Sequence, residues 1–201
     1  MPKMIKYAMD TVRAFVAVKA GKEAETALGG VLAELSKTGA DVRWVHSENL
    51  HLTLKFLGNV KSELIGKITE TVEKIAREIG PISLTVKGLE LIPNPHYPRI
   101  VCAELGGEVD KLKDLAELAE KELVKLGFEE EQREFFPHIT LGRVKSFKAK
   151  SSLIMKMRQF HKRGLAKIDV KQIFLMKSEL NPTGAIYTEL AEMKLSAGGE
   201  K

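Results

Sequence analysis

At 201 residues, 44% of them hydrophobic, the chain can bury a packed core, which excludes a disordered segment and fits one domain of two small lobes. Its net charge of +5, from 32 basic against 27 acidic residues, permits a phosphate-bearing partner but is too small to demand one. The single cysteine, Cys102, excludes an intrachain disulfide and a cysteine-rich zinc site, so a reducing, cytoplasmic setting is expected.

Met1–Val12 is interrupted by Lys3, Lys6 and Asp10, and is expected to be an N-terminal extension rather than a secretory signal. No run approaches the roughly 18 apolar residues of a membrane helix, so no membrane partner is expected. Charged residues make up 29% of the chain, with only four Asn and three Gln, a balance that leans towards a thermophilic source.

Thr11–Val18 is β-branched and aromatic and reads as a strand. Lys22–Lys37 reads as a helix, although Gly29-Gly30 weakens its middle. A second helix is expected to be capped by Ser62, with Leu64, Ile65, Ile68, Val72, Ile75 and Ile79 on one face and Gly80-Pro81 at its end. Ile82–Leu89 and Arg99–Leu105 read as strands, separated by the loop Pro93-Asn94-Pro95-His96-Tyr97-Pro98. The clearest helix carries Leu112, Leu115, Leu118, Ala119, Leu123 and Leu126 on one stripe before Gly127. Ser151–Lys162 reads as a short basic helix. Lys167–Lys177 and Ala185–Leu195 follow as strands joined at Asn181-Pro182-Thr183-Gly184, and 196–201 as a flexible tail. Strands that arrive in pairs predict an α+β fold with antiparallel sheets.

The chemistry concentrates in two similar segments. In Leu50-His51-Leu52-Thr53-Leu54-Lys55-Phe56, alternation places His51, Thr53 and Lys55 on one face of a strand. In Pro137-His138-Ile139-Thr140-Leu141-Gly142-Arg143, it places His138 and Thr140 together. One His-x-Thr is weak evidence, whereas two in matching apolar contexts, one in each half of the chain, are specific. Opening a cyclic phosphodiester needs a base for the attacking water and an acid for the departing ribose oxygen, and imidazole serves either role near neutral pH. Thr53 and Thr140 can donate to non-bridging phosphoryl oxygens, and Arg143 can bind them bidentately. Simple alternation turns Arg143 and Phe56 away from the histidine face. Either the strands bulge there, which Gly142 makes plausible, or the two residues lie outside the site.

Together with Arg13-Ala14-Phe15-Val16-Ala17, Gly88-Leu89, Pro93-Asn94-Pro95 with Arg99, and Ser178-Glu179-Leu180 with Gly184 and Tyr187, these segments resemble the two-histidine phosphoesterase superfamily. Within it the chain is similar to the RNA 2′,3′-cyclic phosphodiesterases, also called 2′-5′ RNA ligases, over nearly all of Arg13–Leu195. The resemblance implies two pseudo-symmetric lobes of antiparallel sheet, with helices outside and a central cleft. It implies metal-independent hydrolysis of a terminal 2′,3′-cyclic phosphate to a 2′-phosphate, with His51 and His138 catalytic and no cofactor. Thr53, Thr140 and Arg143 then contact phosphate, Phe56 and Arg99 contact a base or the RNA, and His51 is the acid and His138 the base. Reversible 2′-5′ joining of tRNA halves, and a monomeric state, are further expectations.

Competing readings are a non-catalytic RNA-end binder, a metal-dependent hydrolase using His51 and His138, and a phosphodiesterase for a small cyclic nucleotide or 2′-5′ oligoadenylate. No acidic residue repeats beside the two motifs to complete a metal site, and a pure binder has no need of two titrating groups. The basic run Lys145–Lys162 reads as either an RNA track or a solvated face. Cys102 reads as inert core.

Overall fold

Apolar residues alternate with polar ones along most strand segments, the pattern of antiparallel sheets with one face on a core. The computed structural model describes residues 11–161, 164–181 and 184–196 and has that architecture. In chain order its elements are β1 (Thr11–Lys19), α1 (Gly21–Ser36), β2 (Val42–Trp44), β3 (His51–Lys61), α2 (Ile65–Glu78), β4 (Ile82–Ile92), β5 (Ile100–Gly107), α3 (Val109–Val124), β6 (His138–Val144), α4 (Lys150–Arg158), β7 (Ala166–Val170), β8 (Gln172–Asn181) and β9 (Gly184–Lys194). One sheet has the order β3-β1-β8-β9 and the other β2-β6-β5-β4-β7, with every pairing antiparallel. The α+β expectation with two antiparallel sheets holds.

Each helix buries one stripe. In α1 it is Ala24, Leu28, Val31, Leu32 and Leu35; Gly30 lies off it, exposed, and Gly29 backs onto Ser47, so the glycine pair leaves the packed face intact. In α2 the stripe is Ile68, Val72, Ile75 and Ala76, and in α3 it is Leu112, Leu115, Ala116, Ala119 and Leu123. These residues merge with the inner faces of both sheets into one apolar cluster. The short α4 is tied to α1 by Lys156 Nζ, 2.7 Å from Glu34 Oε2. That bond, with the nearby Lys37, lowers the Glu34 carboxyl to about 2.

Several expectations are corrected. The single strand expected over Lys167–Lys177 is two, β7 and β8, which sit in different sheets. The burial pattern changes at the break, from the alternating Ala166, Ile168 and Val170 to the continuous run Ile173, Phe174, Leu175 and Met176, buried on both faces. The α-helix expected from Ser62 begins at Ile65, after a 3-10 turn over Ser62–Leu64. The fourth helix ends at Arg158, and β2 was not anticipated, being three residues long with no complete alternation. Residues 1–10, Lys162, the Pro182-Thr183 turn and 197–201 lie outside the described residues.

Lys55 is also corrected: it does not share a face with His51. Its side chain is buried and points to the helix layer, with Nζ 2.7 Å from Glu120 Oε1 of α3 and 2.8 Å from the Glu129 carbonyl. Glu120 Oε1 also accepts from the Glu131 amide at 3.0 Å, so this ion pair fastens β3 to the segment that leads into β6. Glu120→Ala leaves a buried ammonium without its partner and is expected to cost about 2–3 kcal/mol, read by urea unfolding. Lys55→Met keeps the packing and leaves Glu120 able to reach water, so its cost should be clearly smaller.

Candidate active site

The two histidine strands lie at the inner margins of the two sheets. β3 is an edge strand of the first sheet. β6 is flanked by β2 only from Gly142 to Val144, so its His138–Thr140 end is an edge in the second, and β3 approaches it.

A bulge in each strand decides which side chains face the cleft. In β3, Ala17 pairs with Thr53 and Val16 with Lys55, leaving Leu54 as the extra residue; a second irregularity skips Leu57. In β6, Cys102 pairs with Thr140 and Val101 with Gly142, leaving Leu141 as the extra residue. An extra residue reverses the parity of everything after it. His51, Thr53 and Phe56 therefore stand opposite Lys19, Ala17 and Phe15 on one face of β1. His138, Thr140 and Arg143 stand opposite Glu104, Cys102 and Ile100 on one face of β5. Both strands do bulge, and both bulges fall directly after the Thr. Gly142 is required there, because a Cβ would lie 2.5 Å from Val42 Cγ1 and 2.8 Å from the Trp44 ring.

The imidazoles are held alike. His51 Nδ1 is 2.7 Å from the Asn49 carbonyl, and His138 Nδ1 is 2.8 Å from the Phe136 carbonyl. A carbonyl only accepts, so in both rings Nδ1 carries hydrogen and Nε2 is left for chemistry. The His51 ring is walled by Phe15 at 5.0 Å and Tyr187 at 4.9 Å, centroid to centroid, and His138 by Phe136 at 5.8 Å. Phe56 reaches the same wall through Phe15, at 6.0 Å, while remaining largely exposed. The Thr53 and Thr140 hydroxyls are half-buried and engaged by no other protein group among the described residues. Arg143 is exposed and makes no ion pair with a carboxylate among those residues. Arg99 is exposed at the start of β5, and its carbonyl accepts from the Val144 amide.

A family model described as LigT-like phosphoesterase matches residues 20–102 and 106–187. The chain belongs to the LigT-like phosphoesterase family. It is 34% identical over 185 residues to the RNA 2′,3′-cyclic phosphodiesterase of Methanothermobacter thermautotrophicus, covering 92% of this chain and 99% of that one. The protein of the same name from Thermotoga maritima is 34% identical over 188 residues, covering 93% and 97%. Among solved structures, TT0787 of Thermus thermophilus matches with a TM-score of 0.75 and 27% identity, covering 94% of this chain and all of that one. E. coli LigT complexed with 3′-AMP shares the fold, with a TM-score of 0.71 at 22% identity, covering 92% and 99%.

Sequence reasoning did not assign Tyr187, Phe15 or Phe136 to the site of this family member. Phe15 could have been found by pairing its strand with the first motif, whereas Tyr187 arrives from the last strand with no spacing signal. Burial lowers the His51 pKa below its ordinary value of 6.5; the Asn49 carbonyl works against the shift, and the charges of Arg143 and His138 add to it. Burial raises the Tyr187 phenol, so it stays a protonated donor at neutral pH. Burial also pushes the Cys102 thiol up to about 12, which keeps it an unreactive core group as expected. A depression of about 360 Å³ is lined by Asn49 and Tyr187, the carbonyl and ring partners of His51, and one of about 310 Å³ by Phe136 and Glu104; neither is lined by His51 or His138 itself.

In an NMR titration, His51 should lose its proton below the ordinary imidazole value, and Arg143→Met, which removes a cation, should move that point upward. A wild-type value at or above the ordinary one contradicts this electrostatic reading. Gly142→Ala should cost on the order of 1–3 kcal/mol in thermal unfolding, since β2 must shift to admit the methyl group.

Proposed function

We propose that the chain hydrolyses a terminal 2′,3′-cyclic phosphate on RNA to a 2′-phosphate, without a metal, using His51 and His138 as an acid/base pair. The observation that carries this reading is the matched pair of imidazoles on facing strands, each with Nδ1–H on a main-chain carbonyl and Nε2 available. The names of relatives at about one-third identity and nearly full coverage support the substrate class.

Water attacks phosphorus opposite the departing O3′. One Nε2 takes the water proton and the other Nε2–H delivers a proton to O3′, leaving a 2′-phosphate and a 3′-hydroxyl. Thr53, Thr140 and Arg143 donate to the non-bridging oxygens, whose charge shifts in the transition state. Tyr187 is a further donor beside His51. Phe56, at the position equivalent to Arg143, offers a flat apolar surface to a base. In the free protein the lowered pKa favours a neutral His51, ready to accept a proton. The acid role that the resemblance implies for His51 therefore requires the bound phosphate anion to restore its proton. A 5′-hydroxyl in place of water makes a 2′-5′ bond by the same in-line geometry, which extends the proposal to ligation. Among the described residues no group of three or more His, Cys, Asp or Glu could hold a metal ion.

A short RNA ending in a 2′,3′-cyclic phosphate, incubated in EDTA across pH, should yield the 2′-phosphate with a bell-shaped rate profile. His51→Ala and His138→Ala should each lose about 10²–10⁴-fold. Thr53→Val and Thr140→Val should lose less, about 10-fold each for one hydrogen bond to an anion. An inactive wild type, or either histidine variant near the wild-type rate, overturns the proposal.

A further inference from the structure

Outside the cleft, two exposed rings converge from distant parts of the sequence. Tyr97, on the loop between β4 and β5, is 68% exposed, and Phe147, just after β6, is 54% exposed. Their centroids are 6.2 Å apart with planes at 60°. The surroundings hold them in place. Asn94 Oδ1 accepts from the His96 and Tyr97 amides at 3.0 and 3.1 Å, and the Arg99 amide closes the loop on the Ile92 carbonyl at 2.8 Å. Lys150 Nζ sits 5.0 Å from the Phe147 ring centre and donates to the His96 carbonyl at 3.0 Å, joining the two segments. Exposed aromatics fixed this firmly lose little entropy when something stacks on them.

The two segments that carry the rings hold charge of one sign, although exposed Asp41, whose carbonyl accepts from the Lys145 amide at 2.8 Å, lies across from them. No Asp or Glu occurs from Leu91 to Ala103 or from Phe135 to Ile168, and the second stretch alone carries more basic residues than the chain's net excess of +5. Lys145 and Lys148 flank Phe147, are exposed and make no ion pair with a carboxylate among the described residues. Phe147 is four residues beyond Arg143, so the platform begins no more than about 14 Å along the chain from the cleft.

We propose that Tyr97 and Phe147, with Lys145, Lys148 and Lys150, form a second contact for single-stranded RNA, on which bases upstream of the cyclic phosphate stack while the lysines meet the phosphates. Aromatic rings set among cations on a rigid surface suit unpaired nucleotides, whose faces are free, and suit a duplex poorly. The inference rests on the RNA reading of the cleft but has its own readout.

The test is fluorescence anisotropy with a single-stranded RNA of roughly 12 nucleotides ending in the product 2′-phosphate, together with turnover of a nucleoside 2′,3′-cyclic monophosphate. In Tyr97→Ala/Phe147→Ala, RNA affinity should fall roughly tenfold or more, while turnover of the mononucleotide stays at the wild-type level. Tyr97→Phe should restore most of the affinity. Lys145→Ala/Lys148→Ala should flatten the salt dependence by about 0.7 in slope for each phosphate no longer neutralised. The platform is refuted by unchanged affinity in the double aromatic variant, by equal wild-type affinity for duplex or for an abasic strand of the same length, or by no RNA binding at all. Failure of the cleft reading looks different: the wild type turns over neither the mononucleotide nor the cyclic-ended RNA.

Discussion

A β-strand has two faces and assigns residues to them in strict turn, yet here positions one, three and six of each motif share a face. The extra residue after each Thr reconciles the two. Leu54 and Leu141 each take an additional place on the core side, and everything beyond them changes face. Phe56 and Arg143 are thereby delivered to the histidines, while Lys55 is sent into the helix layer to meet Glu120. Even Gly142 follows from the bulge, because β2 closes against it too tightly for a side chain. Without the two bulges the same residues would make two ordinary amphipathic strands.

This is also where reading from the sequence stopped short. The histidine and threonine positions were legible because they precede the bulges, where period-two alternation still holds. Lys55 was put on the wrong face because it follows one. The strand break at Lys171 was legible in principle, since apolar positions alternate before it and run continuously after it, from Ile173 to Met176, but the strand-forming composition runs straight across it. The helices were read well because their apolar stripes recur several times, so that a weak point such as Gly29-Gly30 could not hide them. Tyr187 was the hardest to assign to the site, since only the docking of β9 beside β8 brings its ring to His51.

The two histidine strands share the same bulge and differ in what they hold. Equivalent strands present equivalent histidines and threonines, but the sixth motif position is aromatic in one half and cationic in the other. Opposite His51 in the ladder stands Lys19, and opposite His138 stands Glu104. Two similarly bulged strands thus present unlike charges beside like histidines.

The orienting partner of each imidazole is a main-chain carbonyl, two residues upstream, rather than a carboxylate. A carboxylate can be lost by a single codon change, whereas a carbonyl persists whatever side chain its residue carries. Positions 49 and 136 are therefore free to drift without disturbing the tautomer, provided the backbone entering each strand keeps its path. Selection can then act on the shape of that path, and lineages that diverge widely in sequence can inherit the same poised pair of nitrogens.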